Sequence, residues 1–156
     1  MSSQQIGAEE IYARIPHSGA MRLLDAVLSW DKQSILCSAT SHLDSSNPLR
    51  EDGLLSSVHA LEYAAQAMAV HGSLSAEQGD GDATVKQVYV ATFRNIDLMS
   101  EALDRTADAA LDIQARQDGA VAGGWSYEFS VAAQGALIAS GTATVVASFG
   151  TTGVFQ

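Results

Sequence analysis

The chain has 156 residues, 47% of them apolar, and a formal net charge of −10 at pH 7. The acidic balance disfavours a nucleic-acid-binding protein or one that docks on anionic lipid, because both need a basic face. No apolar run approaches the roughly 18 residues of a membrane helix, and the first fifteen residues lack the apolar core of a secretory signal. We therefore expect a cytoplasmic protein with one domain, 1–156, whose core spans about 11–149.

The single cysteine, Cys37, cannot form an intrachain disulfide and suggests no thiolate metal site. It stands in the strand-like stretch SILCSAT, so we expect it to fill the core rather than act as a nucleophile. No histidine or carboxylate spacing typical of a metal site is present. The sequence therefore predicts neither a metal nor a cofactor.

The first half of the chain mixes helix and strand signals. GAEEIYARI predicts a short helix that ends at Ile15-Pro16, since the residue before proline is disfavoured in helices. MRLLDAVLSW and QSILCSAT predict two strands joined at Asp31-Lys32. The next stretch, HLDSSNPLREDG, is rich in turn formers and predicts a loop.

A buried helix is predicted from VHALEYAAQAMAVHG, residues 58–72. Apolar residues recur there at alternating four- and three-residue steps and form one predicted stripe: Leu54, Val58, Leu61, Ala65 and Met68. Gly72 is the predicted end of the helix, and the polar stretch SAEQGDGDA predicts a surface loop after it.

The second half changes to a period of two, which predicts antiparallel strands with one apolar face. Apolar residues occupy the odd positions of TADAALDIQARQ, WSYEFSVA and LIASGTATVVASF. Turns are predicted at Asp118-Gly119 and Gln134-Gly135, whose residue types accept positive φ. Together with VKQVYVATF, these strands predict an α+β fold in which a curved antiparallel sheet packs on one long helix.

Glu62 is the one acidic residue in the middle of the predicted helix. At about 100° per residue it lies at the edge of the predicted stripe. If the sheet covers this edge, the carboxyl group is a candidate general acid, and Gln66, one turn further on, could orient it. The alternative is that Glu62 lies at the boundary and points into water.

Three stretches of the chain resemble the 3-hydroxyacyl-acyl-carrier-protein dehydratases, which have the hot-dog fold. IPHSGAMRLLDAVLSW is similar to the family's first strand with its preceding Pro-His. ALEYAAQAMA is similar to the start of the central helix, and VYVATFRNIDL to the strand that follows. The resemblance extends from about Ile11 to Phe149, and the Glu62–Gln66 helix is its most specific part.

The resemblance implies removal of water from a 3-hydroxyacyl thioester by a histidine and an acid. Glu62 takes the place of the family acid, and Gln66 matches its supporting glutamine at the substrate site. The N–H groups from Gly53 to Ser57, including that of Leu55, are the expected donors to the thioester oxygen. The family also implies an acyl carrier protein or coenzyme A thioester as partner.

The family's base histidine has no counterpart, because Pro48 stands fourteen residues before Glu62. The NPL…DG loop is similar to a divergent dehydratase branch of aryl-polyene-type lipid pathways. His17 and His59 are the candidate substitutes. The alternatives are that His17 is structural and that His59 is solvated or faces a dimer partner. His42 is a more distant candidate, and His71 suits the end of the helix dipole.

The sequence is compatible with three functions. The first is a dehydratase, and the second is a non-catalytic partner subunit, since hot-dog proteins work as dimers or higher oligomers and can be heteromeric. The third is a thioesterase that uses the same helix acid. Docking of an acidic carrier protein would need a locally basic patch, for which the candidates are Arg14, Arg22, Arg50, Arg94 and Arg105.

Overall fold

A long helix on a seven-stranded antiparallel sheet forms the architecture of the computed structural model, which describes residues 5–78, 85–104 and 109–149. The elements are β1 (Ile6–Gly7), α1 (Ala8–Arg14), β2 (Ala26–Trp30), β3 (Ser34–Ala39), α2 (Ala60–Gln78), β4 (Val85–Leu98), β5 (Leu111–Val121), β6 (Gly124–Ala133) and β7 (Ala136–Phe149). The strand order is β1-β2-β3-β5-β6-β7-β4. Within these ranges no helix is long and apolar enough to cross a membrane.

Most predicted elements are confirmed, with shifted ends. The first predicted strand begins only at Ala26, because Gly19–Met21 form a turn of 3-10 helix. The helix does not end at Gly72 but continues to Gln78, so the predicted loop is shorter, and its residues 79–83 lie outside the described residues. Cys37 is buried in β3, as predicted.

The sheet confirms the period of two in β5 and β6 and corrects one turn. The turn at Gln134-Gly135 is confirmed, since both residues have positive φ, 50° and 80°. The turn predicted at Asp118-Gly119 is wrong. That dipeptide lies within β5 at a shift of register, and the chain reverses after Val121 at a turn in which Gly123 has φ 80°.

The predicted apolar face of β7 is also wrong at its first residue. Leu137 is 41% exposed, while Ile138 and Ala139 are both buried. The register of β6 and β7 shifts between Val131 and Ala132, so Val131 pairs with Ala139 and Ala132 with Leu137. This bulge turns Leu137 to the outside, because one extra residue moves a side chain to the other face.

The buried stripe of α2 differs from the predicted one. Leu54 and Val58 precede the helix and are 44% and 45% exposed. The residues that recur on the buried face are Ala60, Ala64, Ala67, His71 and Leu74. Glu62 lies roughly 160° around the helix from the middle of this stripe, so the sheet does not cover its carboxyl group.

A buried hydrogen-bonded network holds the C-terminal half of α2 against the sheet. His71 Nε2 lies 2.8 Å from the carbonyl oxygen of Asp31, and His71 Nδ1 lies 2.6 Å from the hydroxyl of Tyr127. Since a carbonyl only accepts, Nε2 carries the proton and Nδ1 accepts from Tyr127. Gln117 donates to the same hydroxyl over 3.1 Å. Both ring nitrogens of His71 therefore have partners, and burial, which lowers the pKa of this histidine, favours its neutral form.

We predict that the free energy of unfolding falls as the pH drops below about 6.5, the ordinary pKa of histidine. Burial lowers the pKa of His71, and it lowers that of His42 as well. Between the ordinary pKa and the lowered one, the unfolded chain therefore binds more protons than the native protein. The slope can approach about 1.4 kcal/mol per pH unit for each such histidine.

Urea unfolding at pH 7.5, 6.5 and 5.5 measures this dependence. The matched variant is His71→Gln, whose side chain does not titrate and which should show a shallower slope at a lower starting stability. Equal slopes in the two proteins would contradict the contribution of His71.

Candidate active site

His17 and Glu62 meet in the structure, although they are far apart in the sequence. His17 Nε2 lies 3.5 Å from Glu62 Oε2, and the two side chains are 26% and 36% exposed. His17 Nδ1 is buried and forms no hydrogen bond within the described part of the chain. A bound molecule would therefore exchange protons with the histidine through the Nε2 side of the ring.

The segment that carries His17, residues 15–24, is named here the Pro-His segment. It contacts α2 through Gln66, whose Nε2 donates to the carbonyl oxygen of Met21 over 2.8 Å. Gln66 Oε1 accepts from the Tyr12 hydroxyl at 2.7 Å and from the Leu23 N–H at 3.3 Å. Gln66 is 1% exposed, and its amide faces the Pro-His segment. No hydrogen bond between Gln66 and Glu62 is present among the described residues.

Tyr12 is a residue of this network that the sequence did not predict. Its hydroxyl also accepts from the Leu24 N–H at 2.8 Å, and burial raises the pKa of Tyr12 to about 12. The guanidinium of Arg22 lies 5.3 Å from the centroid of the Tyr12 ring. In the sequence Tyr12 is one apolar residue of a short helix, so no local pattern distinguishes it.

Within the described residues, the other histidines form no ion pair with Glu62. His59 closes the 3-10 turn before α2 and is half-buried, and within the described ranges it forms no hydrogen bond or ion pair with Glu62. His42 is fully buried, and its carbonyl oxygen accepts from Arg50. His71 belongs to the network with Tyr127 described above.

The chain that leads into α2 leaves backbone donors available. Leu54 and Ser57 donate their N–H groups to the carbonyl oxygens of Glu51 and Glu101, at 2.8 and 3.0 Å. In the described residues, the N–H groups of Gly53, Leu55 and Ser56 form no hydrogen bond. These groups include the expected thioester-oxygen donors at Gly53 and Leu55.

Arg50 stabilises the loop of residues 42–53, which precedes α2. Its guanidinium contacts Asp104 at 2.6 Å and donates to three carbonyl oxygens, those of His42, Asp44 and Gly53, at 2.9, 3.3 and 3.3 Å. An open cavity of about 560 Å³ lies beside it. The Arg50 side chain is 14% exposed, so most of its binding capacity is used within the loop.

No group of three histidine, cysteine or carboxylate side chains suited to a metal ion occurs in the residues that the structure describes. Cys37 is fully buried, and burial raises its pKa to about 12. The thiol is therefore protonated and shielded from ligands at neutral pH.

Residues 9–153 match the family described as ApeP-like, ApeP dehydratase. This match covers more than half of the chain and includes α1 from its second residue, all of α2 and every strand from β2 to β7. The chain belongs to the ApeP-like dehydratase family. No curated protein matches the sequence of this ApeP-like chain.

Solved structures show the fold of the ApeP-like chain to be the hot-dog fold. The dehydratase heterocomplex ApeI:P from Xenorhabdus doucetiae is similar at 23% identity and a TM-score of 0.73, over 88% of this chain and 90% of that one. The E. coli PaaI protein of the phenylacetic acid degradation operon is 15% identical, with a TM-score of 0.64 over 93% of both chains. A thioesterase from Haemophilus influenzae is 13% identical, with a TM-score of 0.64 over 94% of both.

Proposed function

We propose that this ApeP-like chain removes water from 3-hydroxyacyl thioesters, with His17 as base and Glu62 as acid. The observation that carries the proposal is the 3.5 Å separation of His17 Nε2 and Glu62 Oε2 at the protein surface. In this step His17 Nε2 takes the α-proton and the electrons of the C–H bond form the new double bond. The Glu62 carboxyl group gives a proton to the hydroxyl, which departs as water with the electrons of the C–O bond. The products are a 2-enoyl thioester and water.

Backbone N–H groups would stabilise the negative charge that develops on the thioester oxygen. Within the described residues, the candidates are the N–H groups of Gly53 and Ser56, which have no internal partner and belong to residues that solvent reaches. Leu55 is fully buried, so its N–H group does not face a ligand in this structure. His59 is a weaker candidate for the base than His17, since among the described histidines His17 is the one that forms an ion pair with Glu62. We therefore assign no proton transfer to His59.

The thioester is carried by acyl carrier protein or coenzyme A, and both present anionic groups. Arg22 is exposed, and its Nε lies 3.5 Å from the carbonyl oxygen of His17. It is thus a cation beside the proposed site and can attract either carrier. Arg50 is occupied by its loop, Arg94 lies on β4, and Arg105 lies outside the described residues.

A short 2-enoyl thioester such as crotonyl-coenzyme A tests the reaction in reverse. We expect its near-ultraviolet absorbance to fall in the presence of the protein, with no free thiol detected by a thiol reagent. Thiol release would instead support a thioesterase, a function that similarity to the Haemophilus influenzae protein also allows. A flat trace without thiol would argue against activity of the isolated chain.

A partner-subunit function is the second candidate. Its support is the similarity to a component of a dehydratase heterocomplex and the position of β4 at the edge of the sheet. Tyr89 on this outer strand and Met99 just after it are 50% and 51% exposed, which suits a homodimer or a heteromer with a related subunit. Native mass spectrometry of the chain co-expressed with such a subunit distinguishes a homodimer from a heteromer. A homodimer that exchanges no subunits would count against the partner function.

A further inference from the structure

We propose that Tyr12 and Gln66 act together as positioning residues that hold His17 against Glu62, an inference that rests on the proposed function. The resemblance to dehydratases suggests a glutamine that supports the acid or the substrate. In this chain Gln66 instead binds the segment that carries the histidine, because its side-chain amide forms hydrogen bonds with Met21 and Leu23 of the Pro-His segment.

The side-chain oxygen of Gln66, Oε1, has no remaining hydrogen-bonding capacity for a ligand. It accepts two hydrogen bonds, one from the Tyr12 hydroxyl and one from the Leu23 N–H, and a carbonyl oxygen has two lone pairs. The amide nitrogen donates to the Met21 carbonyl oxygen. With 1% of its surface exposed, Gln66 is better suited to fixing the backbone of the Pro-His segment than to binding substrate.

Tyr12 adds a second link between α2 and the Pro-His segment. Its hydroxyl donates to Gln66 and accepts from the Leu24 N–H, so α1, α2 and the Pro-His segment meet at one oxygen atom. The ring of Tyr12 also supports Arg22, whose Nε faces the His17 carbonyl oxygen. Removing the hydroxyl alone would therefore break two hydrogen bonds, one to Gln66 and one to the Leu24 N–H of the segment, and leave the ring in place.

The path from Gln66 to His17 is short and hydrogen-bonded. Gln66 follows Glu62 by one turn of α2, so its amide is fixed relative to the acid. Between Met21 and His17 the chain forms a 3-10 turn, with bonds from Met21 N–H to Ser18 and from Arg22 N–H to Gly19. A displacement of Met21 would thus move His17 relative to Glu62.

The test is Tyr12→Phe, measured by enoyl thioester hydration and by NMR. We expect kcat to fall at least about tenfold while KM changes by less than about twofold, because a small displacement of reacting groups costs rate rather than binding. The nuclear Overhauser cross-peak between the His17 ring and the Glu62 side chain should weaken in parallel. Gln66→Met should cause a similar loss, and the double variant no further loss, since both break one connection.

The matched control is Tyr127→Phe, which removes another buried hydroxyl with two partners, at the opposite half of α2. We expect it to lower Tm by a similar amount and to leave kcat and the cross-peak unchanged. An active wild type whose Tyr12→Phe variant keeps both readouts would overturn the positioning role. A wild type inactive on thioesters would overturn the proposed function, while loss of the cross-peak in Tyr12→Phe would still support the positioning.

Discussion

Glu62→Gln should lower the rate of enoyl thioester hydration by about 10²–10⁴-fold, the usual contribution of a positioned acid or base. The amide has nearly the shape of the carboxyl group but cannot donate and recover a proton at the hydroxyl of the substrate. Glu62 is 36% exposed and contacts His17 by a single pair of atoms. The fold should therefore tolerate the change, and circular dichroism and Tm should stay close to those of the wild type.

The control for this variant is Glu128→Gln. Glu128 is 57% exposed on β6 and contacts Arg116 at 3.7 Å, so it tests loss of one negative charge far from α2. Its hydration rate should equal that of the wild type. If Glu62→Gln is as active as Glu128→Gln, Glu62 is not the acid, and the proposed mechanism fails with it.

Arg50→Met should lower the free energy of unfolding by about 2–4 kcal/mol, because it leaves a partly buried carboxylate and carbonyl groups without their donor. Asp104, whose side chain is 23% exposed, would lose a 2.6 Å contact. The carbonyl oxygens of His42, Asp44 and Gly53 would lose theirs as well. Methionine keeps much of the aliphatic volume, so the loss measures the guanidinium rather than the packing.

Arg116→Met provides the comparison in the same urea unfolding experiment. Arg116 is 55% exposed and lies 3.7 Å from Glu128, and exposed ion pairs contribute about 0–1 kcal/mol. We expect both variants to keep the wild-type m-value, the slope of the unfolding free energy against urea concentration. Only the Arg50 variant should unfold at a much lower urea concentration. Equal shifts for the two arginine variants would show that the Arg50 contacts do not stabilise the loop.

The sequence predicted the fold well where the spacing of apolar residues fitted either a helix or a strand and not both. From Leu111 to Arg116 the burial in β5 alternates residue by residue as the pattern indicates, since one face packs on the core. The predicted stripe of α2 was right at Met68, which is buried, and wrong at Ala65, because alanines occur on nearly every side of this helix. The burial of Ala60, Ala64 and Ala67 rather than Ala65 depends on contacts with distant strands, and Leu137 similarly depends on a bulge that local patterns do not specify.

The candidate site was predictable only in part. Glu62 and His17 could both be named, because an acid in an apolar helix and a histidine after proline are visible locally. Their contact could not be derived, since it depends on how the Pro-His segment folds back on α2. The network of Tyr12 and Gln66 was missed for the same reason, and the use of Arg50 within its own loop requires Asp104, which lies far along the chain.

The location of His17 and Glu62 within one polypeptide has a consequence for experiments at low concentration. Two groups tied by the same backbone encounter each other at a fixed effective concentration, however dilute the solution is. Dissociation of an oligomer would separate residues contributed by different subunits, but it would leave these two together. A loss of activity on dilution would therefore point to a component other than this histidine and this carboxylate.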